Sequence, residues 1–347
     1  MTSTPAIAVL GAGHLGRFHA QVLHRLLQTQ PVWIVDIDGE RAAAVADQVG
    51  ARATTDARVA LAEVDAVVVA TPTETHATVA GEAIGAGCHV LVEKPLTATL
   101  AAAEELIAQA AAAGRVLQVG HVERFNPIFQ ALQGEIGVPA YVEAERLAPF
   151  VPRSLDVDIV LDLMIHDLDL LLHLVPAEVE SIDAVGVPVL TPREDIATAR
   201  LRFANGTVAD LTASRISQEK ARKIRFFARQ AYYSLDLMQR KARRVRVVAR
   251  EDGALEVPGV GRFAVDEEQL AHADPDPLTG EWQAFLAAVA GRPSAGVTGP
   301  EALRVLRTAM EIRDRVRESR ERLVSGGLGP AHAAGGPRGT GGPDGTE

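Results

Sequence analysis

A single cysteine, Cys88, stands in 347 residues. Without a second thiol there is no internal disulfide and no multi-cysteine metal site, as suits a reducing compartment. Long apolar runs are missing too: no stretch of about 18 apolar residues occurs, so no membrane span is expected. Met1 to Pro5 carry no basic segment or cleavage signal and lead straight into an apolar run, which gives a cytoplasmic expectation. Positive charge is in deficit. With 35 Lys and Arg against 45 Asp and Glu, the formal charge of -10 argues against nucleic acid or an anionic membrane as partner. No internal repeat is visible. Large apolar residues nearly vanish over Ser325–Glu347, where Gly and Pro dominate, and 325–347 is expected to be a disordered tail.

What is present is apolar mass: 47% hydrophobic residues, enough for a core in each of two domains, which the length favours. From Ala6 to Val119, short Val/Ile/Leu runs alternate with longer alanine-rich stretches, the rhythm of a parallel sheet wrapped by helices. The predicted strands are Ala6–Leu10, Val32–Val35, Ala66–Ala70, Val90–Val92 and Val116–Val119. Leu15–Gln28, Gly39–Val49, His76–Ala86 and Ala98–Ala112 are the predicted crossover helices. Beyond Arg124-Phe125-Asn126-Pro127 the pattern changes. A short helix, Pro127–Gln133, precedes period-two stretches at Tyr141–Arg146, Glu180–Ala184, Ala197–Phe203, Thr207–Arg215, Arg222–Ala228 and Val245–Ala249. Turns such as Ala204-Asn205-Gly206 point to an open, mostly antiparallel sheet, with helices at Asp158–Leu174, Glu281–Ala290 and Pro300–Arg322. The expected organisation is α/β: a doubly wound Rossmann domain over 1–122, an α+β domain over 123–324, and the tail.

Three features carry chemistry. Strand, Gly11-Ala12-Gly13-His14-Leu15-Gly16, then helix is the form of a dinucleotide site, in which backbone N–H groups and the helix dipole hold a pyrophosphate. Asp36 ends the second strand about 20 positions after Gly16, where a carboxylate accepts the adenosine ribose hydroxyls and repels a 2'-phosphate; NAD is favoured over NADP. Arg41 nearby softens that exclusion, and Asp36 could instead merely begin a turn with Asp38 and Gly39. The fourth strand runs into Glu93-Lys94-Pro95, placing a lysine at the carboxyl end of a parallel strand, where ligands of open α/β sheets bind and proton transfer to a substrate hydroxyl is feasible. Alone, Lys94 could equally be a surface lysine. The third feature is Asp162, His166, Asp169 and His173, which fall at i, i+4, i+7 and i+11 of an otherwise apolar helix. Three readings fit: the exposed face of an amphipathic helix, a metal site, or a general acid/base histidine oriented by a carboxylate one turn away. No metal is expected. The basic run Arg240–Arg250 reads either as an anion patch or as a solvated strand surface.

Together the glycine turn, Glu93-Lys94-Pro95 and Asp162-x-x-x-His166 resemble the Gfo/Idh/MocA oxidoreductases, over about Ala6 to Arg322. The resemblance implies NAD(P)-dependent dehydrogenation of CH–OH groups, with Lys94, Asp162 and His166 as proton-transfer residues. It also implies Gly11, Gly13, His14, Leu15, Gly16, Asp36, Arg41, Thr71, Pro72, His76, Glu93 and Lys94 along the cofactor. Arg124 and Asn126 would join Lys94, Asp162 and His166 at the substrate, and the second domain would form a homo-oligomer, a dimer or tetramer. Met164 departs from the glycine that many members carry, and a bulkier side chain there is expected to narrow the site or tilt the helix. His121-Val122-Glu123-Arg124-Phe125-Asn126-Pro127 resembles a bacterial subgroup of UDP-N-acetylglucosamine 3-dehydrogenases serving lipid A formation. A dehydrogenase of inositol or another polyol is the alternative enzyme, and a non-catalytic NAD-binding sensor the alternative class.

Overall fold

The computed structural model describes residues 5–27, 33–151, 158–249, 255–257, 261–272 and 274–325. Apolar runs with both faces covered by helices become a parallel sheet. Its elements are β1 (Ile7–Leu10), α1 (His14–Leu27), β2 (Trp33–Val35), α2 (Gly39–Val49), β3 (Arg52–Thr54), α3 (Ala57–Leu61), β4 (Ala66–Val69), α4 (Thr73–Gly85), β5 (His89–Glu93), α5 (Leu100–Ala113) and β6 (Leu117–Gly120). The strand order is β3-β2-β1-β4-β5-β6, all pairs parallel. The order reverses between β1 and β4, and the crevice beyond their carboxyl ends is where such sheets take ligands.

A 3₁₀ turn (Val122–Phe125) and α6 (Pro127–Ile136) lead out of this sheet into β7 (Tyr141–Leu147), followed by a π turn (Val160–Met164) continuous with α7 (Ile165–Leu174). Then come β8 (Val179–Val187), β9 (Ile196–Phe203), β10 (Val208–Ser214), β11 (Ala221–Ala228), β12 (Ala231–Asp236), β13 (Lys241–Ala249), β14 (Leu255–Val257) and β15 (Gly261–Ala271). These eight strands and β7 form one sheet of nine, ordered β14-β15-β13-β12-β11-β7-β10-β9-β8. Every pair is antiparallel except β7 with β10. The expected turn at Ala204-Asn205-Gly206 joins β9 to β10, with Gly206 at φ 86°. The strand expected from Val245 begins earlier, at Lys241. On its outward face Arg243 pairs with Glu267, while Arg244, buried on the opposite face, pairs with Glu135 and Glu268, so these two guanidiniums of the basic run are already neutralised. Arg250 lies outside the described residues.

Two last helices, α8 (Pro277–Val289) and α9 (Gly299–Ser325), return to the first sheet. Trp282 and Phe285 of α8 are wholly buried in the core with Ile7, Val9 and Leu23. One face of α9 sends Ala302, Leu306 and Met310 into the core of the first sheet, and another sends Val305, Ala309, Ile312 and Val316 into that of the second. Ser325, the first residue of the expected tail, is the last of α9, and 326–347 lie outside the described residues. Among the described residues no helix is long and apolar enough to cross a membrane.

Candidate active site

The glycine turn divides its labour between fold and ligand. At Gly11 the backbone has φ 99°, and a Cβ would lie 2.5 Å from the Ala70 carbonyl oxygen. At Gly16 a Cβ would meet the Gly11 oxygen at 1.7 Å, so α1 and β1 approach as only glycine permits. Above Gly13 there is open space. The protein itself does not need that glycine, but a pyrophosphate lying on the α1 N-terminus would. His14 is exposed, edge-on to Phe18, and Leu15 lines the adjoining cleft.

Asp36 is buried at the end of β2. Its Oδ2 accepts from Ala12 N–H (2.7 Å) and Arg41 Nε (3.0 Å), its Oδ1 from Asp38 N–H (2.9 Å) and an Arg41 terminal nitrogen (2.6 Å). Burial alone raises its carboxyl, but the hydrogen bonds from Arg41 and the two backbone amides outweigh this and hold it below the usual carboxylate range. All four lone-pair directions are thus filled, so a ribose hydroxyl would reach Asp36 only by displacing the half-exposed Arg41.

A cleft of about 820 Å³ opens past the carboxyl ends of β4 and β5. Leu15, Thr71, Pro72, His76, Glu93, Lys94 and Asp162 all line it. His76 bridges two backbone carbonyls, Nδ1 to Pro95 and Nε2 to Thr71, which locks the β4 and β5 loops together. The Lys94–Pro95 peptide is cis. Lys94 Nζ donates to the Asp162 carbonyl (2.8 Å) and lies 3.4 Å from its carboxylate.

The expected support of His166 by Asp162 takes another form. The π turn breaks the regular helix at Val160–Met164, and the Asp162 carboxylate serves Lys94. His166 Nδ1 is buried without a partner. Burial first, then the positive fields of Lys94 and Arg146, push its pKa well below the ordinary value, so the imidazole is neutral at pH 7. Met164 turns its side chain into the core with Ile165 and Leu168 and is not among the cleft-lining residues, so of the two expected effects, narrowing the site or tilting the helix, the first does not occur.

Arg124 and Asn126 are not brought to the cleft. Arg124 is buried and bidentate to Asp169 (3.0 and 2.5 Å), with His173 and Glu301 on its third nitrogen. Asn126 caps α6 and donates to Glu123 and the Leu237 carbonyl. Beside them Arg146 grips Asp167 (2.9 and 2.8 Å) and Glu123 (3.0 Å). The 3₁₀ turn and β7 thereby clamp α7 through two buried guanidinium-carboxylate pairs, which fix His166 on its helix. Asp169, at 0% exposed, excludes a solvated face for that part of the polar stripe.

Sequence reasoning also missed His19, Glu281 and the arginines of the cleft. His19, Glu93 and Glu281 offer ligand atoms all within 4.8 Å of one another, the spacing of a metal site. Trp282 Nε1 can only donate, and it donates to His19 Nδ1 (3.0 Å), so His19 carries its proton on Nε2 and gives it to Glu93 (2.8 Å). That tautomer describes a hydrogen-bonded proton network rather than a ligand set. The cleft lining also carries Arg193, Arg313, Arg317 and Arg320.

A dinucleotide cradle continuous with a lysine-bearing cleft defines an oxidoreductase of the nicotinamide-binding Rossmann class. Residues 6–121 match the NAD-binding Rossmann fold of the Gfo/Idh/MocA oxidoreductases, and 131–234 match that family's C-terminal domain. The chain belongs to the Gfo/Idh/MocA family. It is 44% identical over 306 residues to UDP-N-acetylglucosamine 3-dehydrogenase of Acidithiobacillus ferrooxidans, covering 88% of this chain and 95% of that one. The solved structure of that enzyme superposes with a TM-score of 0.83, at 42% identity, over 91% of this chain and 98% of the other. The scyllo-inositol 2-dehydrogenase (NAD(+)) of Bacillus subtilis is 32% identical, over 60% of this chain and 67% of its own.

Proposed function

We propose that this oxidoreductase uses NAD to oxidise a secondary hydroxyl of a nucleotide sugar, the 3-hydroxyl of UDP-N-acetylglucosamine. The observation that carries the reading is the Lys94–Asp162 contact, which joins the end of β5 to the π turn within the cleft beside the cofactor turn. The substrate follows from the relative that shares 44% of its residues across nearly the whole fold.

Gly11, Gly13, Gly16, Leu15, Asp36, Thr71, Pro72, His76 and Glu93 would hold NAD along the β1–β4 crevice, with His14 and Arg41 at its edges. Oxidation to a ketone removes a hydride from carbon and a proton from oxygen, and NAD, when bound, accepts the hydride. The chain's own residues handle the proton. Lys94 Nζ, held by the Asp162 carbonyl and carboxylate, would accept the hydroxyl proton and release it to solvent in the cleft; the neutral imidazole of His166, one turn beyond Asp162 and outside the cleft lining, would be the alternative acceptor. Residues 1–122 form the cofactor unit and 123–324 the substrate and assembly unit, with α8 and α9 returning from the second to brace the first. The protein acts in the cytoplasm as a homo-oligomer, a dimer or tetramer. Half-exposed Tyr141, Phe227 and Tyr232, stacked across β7, β11 and β12, supply an apolar patch on the open face of the nine-stranded sheet for that contact.

The reading is tested by NADH absorbance with NAD and UDP-N-acetylglucosamine, set beside inositol and free N-acetylglucosamine. NADH from inositol but not from the UDP-sugar would replace the substrate; NADH from none of them would leave the non-catalytic sensor.

A further inference from the structure

One cleft is lined both by Lys94, Glu93 and Asp162 and by four arginines, Arg193, Arg313, Arg317 and Arg320. In a chain of net charge -10, four guanidiniums in one cleft run against the overall balance, although Glu74, Asp158 and Glu194 share its lining.

The cluster is built rather than incidental. Arg313, Arg317 and Arg320 stand at i, i+4 and i+7 of α9 and so share one helix face. Arg193 belongs to the turn between β8 and β9, and a single residue sets that turn: the Asp195 carboxylate accepts from the amides of Val189 (2.8 Å), Leu190 (2.6 Å) and Thr191 (2.9 Å) and from the Thr191 hydroxyl (2.8 Å). Gly186 of β8 brings turn and helix together. A Cβ there would lie 2.4 Å from Val316 Cγ1 and 2.8 Å from Glu194 Cγ, so only glycine lets α9 and the turn lie this close. Arg320 then reaches Glu194 at 3.0 Å.

These arginines keep donors to spare. Arg313 and Arg317 share one oxygen of Asp314, each at 3.4 Å, although each guanidinium carries five N–H groups. Planar, bidentate donors of this kind match phosphate oxygens. A cofactor pyrophosphate would be provided for separately, in the open space above Gly13, which is not part of the cleft lining.

We propose that Arg193, Arg313, Arg317 and Arg320 form a seat for the diphosphate of a nucleoside-diphosphate sugar, which places the sugar hydroxyl at Lys94. This rests on the dehydrogenase reading for the identity of the sugar, but the seat itself is open to test without turnover. Inositol or a free sugar leaves it empty.

The experiment is calorimetric titration of the NAD-loaded full chain with UDP, with N-acetylglucosamine 1-phosphate as the monophosphate arm. UDP should bind, and more weakly as salt rises. Arg313→Gln and Arg317→Gln should each weaken it on the order of tenfold, about the value of one hydrogen bond to a charged group. Arg317→Lys should recover part of that loss, and the NAD affinity of all three should match wild type. Arg317 is exposed, so its substitutions leave the melting temperature in place. In turnover the Gln variants should raise KM for the UDP-sugar and leave kcat near wild type. Absence of UDP binding would overturn the seat even where UDP-sugar turnover upholds the dehydrogenase. Equal affinity for the monophosphate would overturn the diphosphate assignment, and displacement of NAD by UDP would hand the arginines to the cofactor.

Discussion

Lys94 Nζ is held at two points by one residue, Asp162: at 2.8 Å by its backbone carbonyl and at 3.4 Å by its carboxylate. The closer contact belongs to the main chain, so the geometry of the π turn rather than the acid alone aims the lysine. Lys94→Ala should therefore lower kcat by roughly a hundredfold to ten-thousandfold, the range of lost proton transfer, with NAD binding intact. Asp162→Asn keeps the shorter contact and should lose less. Equal losses in steady-state assays of the two variants would mean that the carboxylate itself takes part in the chemistry.

Two glycines of one turn should respond differently to the same methyl group. Gly16→Ala drives a Cβ to 1.7 Å from a backbone oxygen and should cost about 3 kcal/mol of stability or more, read by thermal melting. Gly13→Ala meets nothing in the protein and should melt normally. It should nonetheless weaken NAD by about tenfold or more, because the methyl stands where the pyrophosphate lies. Normal NAD affinity in Gly13→Ala would remove the phosphate from that position.

The four hydrogen bonds on Asp36 make Arg41 a competitor of the ribose. Arg41→Ala frees the carboxylate and removes a nearby cation that could pair with a 2'-phosphate. The ratio of kcat/KM for NAD over NADP should rise on the order of tenfold. Asp36→Asn should move it the other way, and a ratio indifferent to both changes would place adenosine recognition elsewhere.

Glu281 gives the stability a signature in pH. Burial, reinforced by the negative Glu93 and Asp169, pushes its carboxyl well above the ordinary 4.5. The folded form holds this proton more tightly than the unfolded chain, so the contribution is complete below the unfolded value and is lost as pH rises through the folded one. Glu281→Gln removes that loss. Its melting temperature should gain on wild type as pH rises above the ordinary 4.5, and parallel curves there would show that the carboxyl does not titrate with folding.

Much of this was legible in the chain, for stated reasons. Buried parallel strands announce themselves as apolar runs, so β1, β2, β4, β5 and β6 were visible, whereas β3 is a polar edge strand, Arg-Ala-Thr, with no such run. β15 hid likewise: its Asp266-Glu267-Glu268-Gln269 stretch pairs with β13 away from the cores. Asp162 and Lys94 were found as neighbours of the chemistry, but regular helical spacing assigned Asp162 to His166, and a π turn cannot be read from spacing. Arg124 looked like a ligand because a buried clamp and a binding arginine have the same letter; only its bidentate pairing with Asp169, 45 positions away, tells them apart. The arginine cluster was invisible because Arg193 and the three arginines of α9 follow Lys94 by about 100 and 200 residues, and only the tertiary fold brings them together.

Helix α9 has one further consequence. It is anchored in the first core at Met310 and in the second at Val316, and it carries Arg320 about 15 Å beyond Met310 at 1.5 Å per residue. If the arginine seat holds a diphosphate, this rod, rooted beside the cofactor sheet and carrying cations along one face, would act as a ruler. It would select among sugars by the length between the reacting carbon and the charged tail, before any contact with the ring distinguishes one sugar from another.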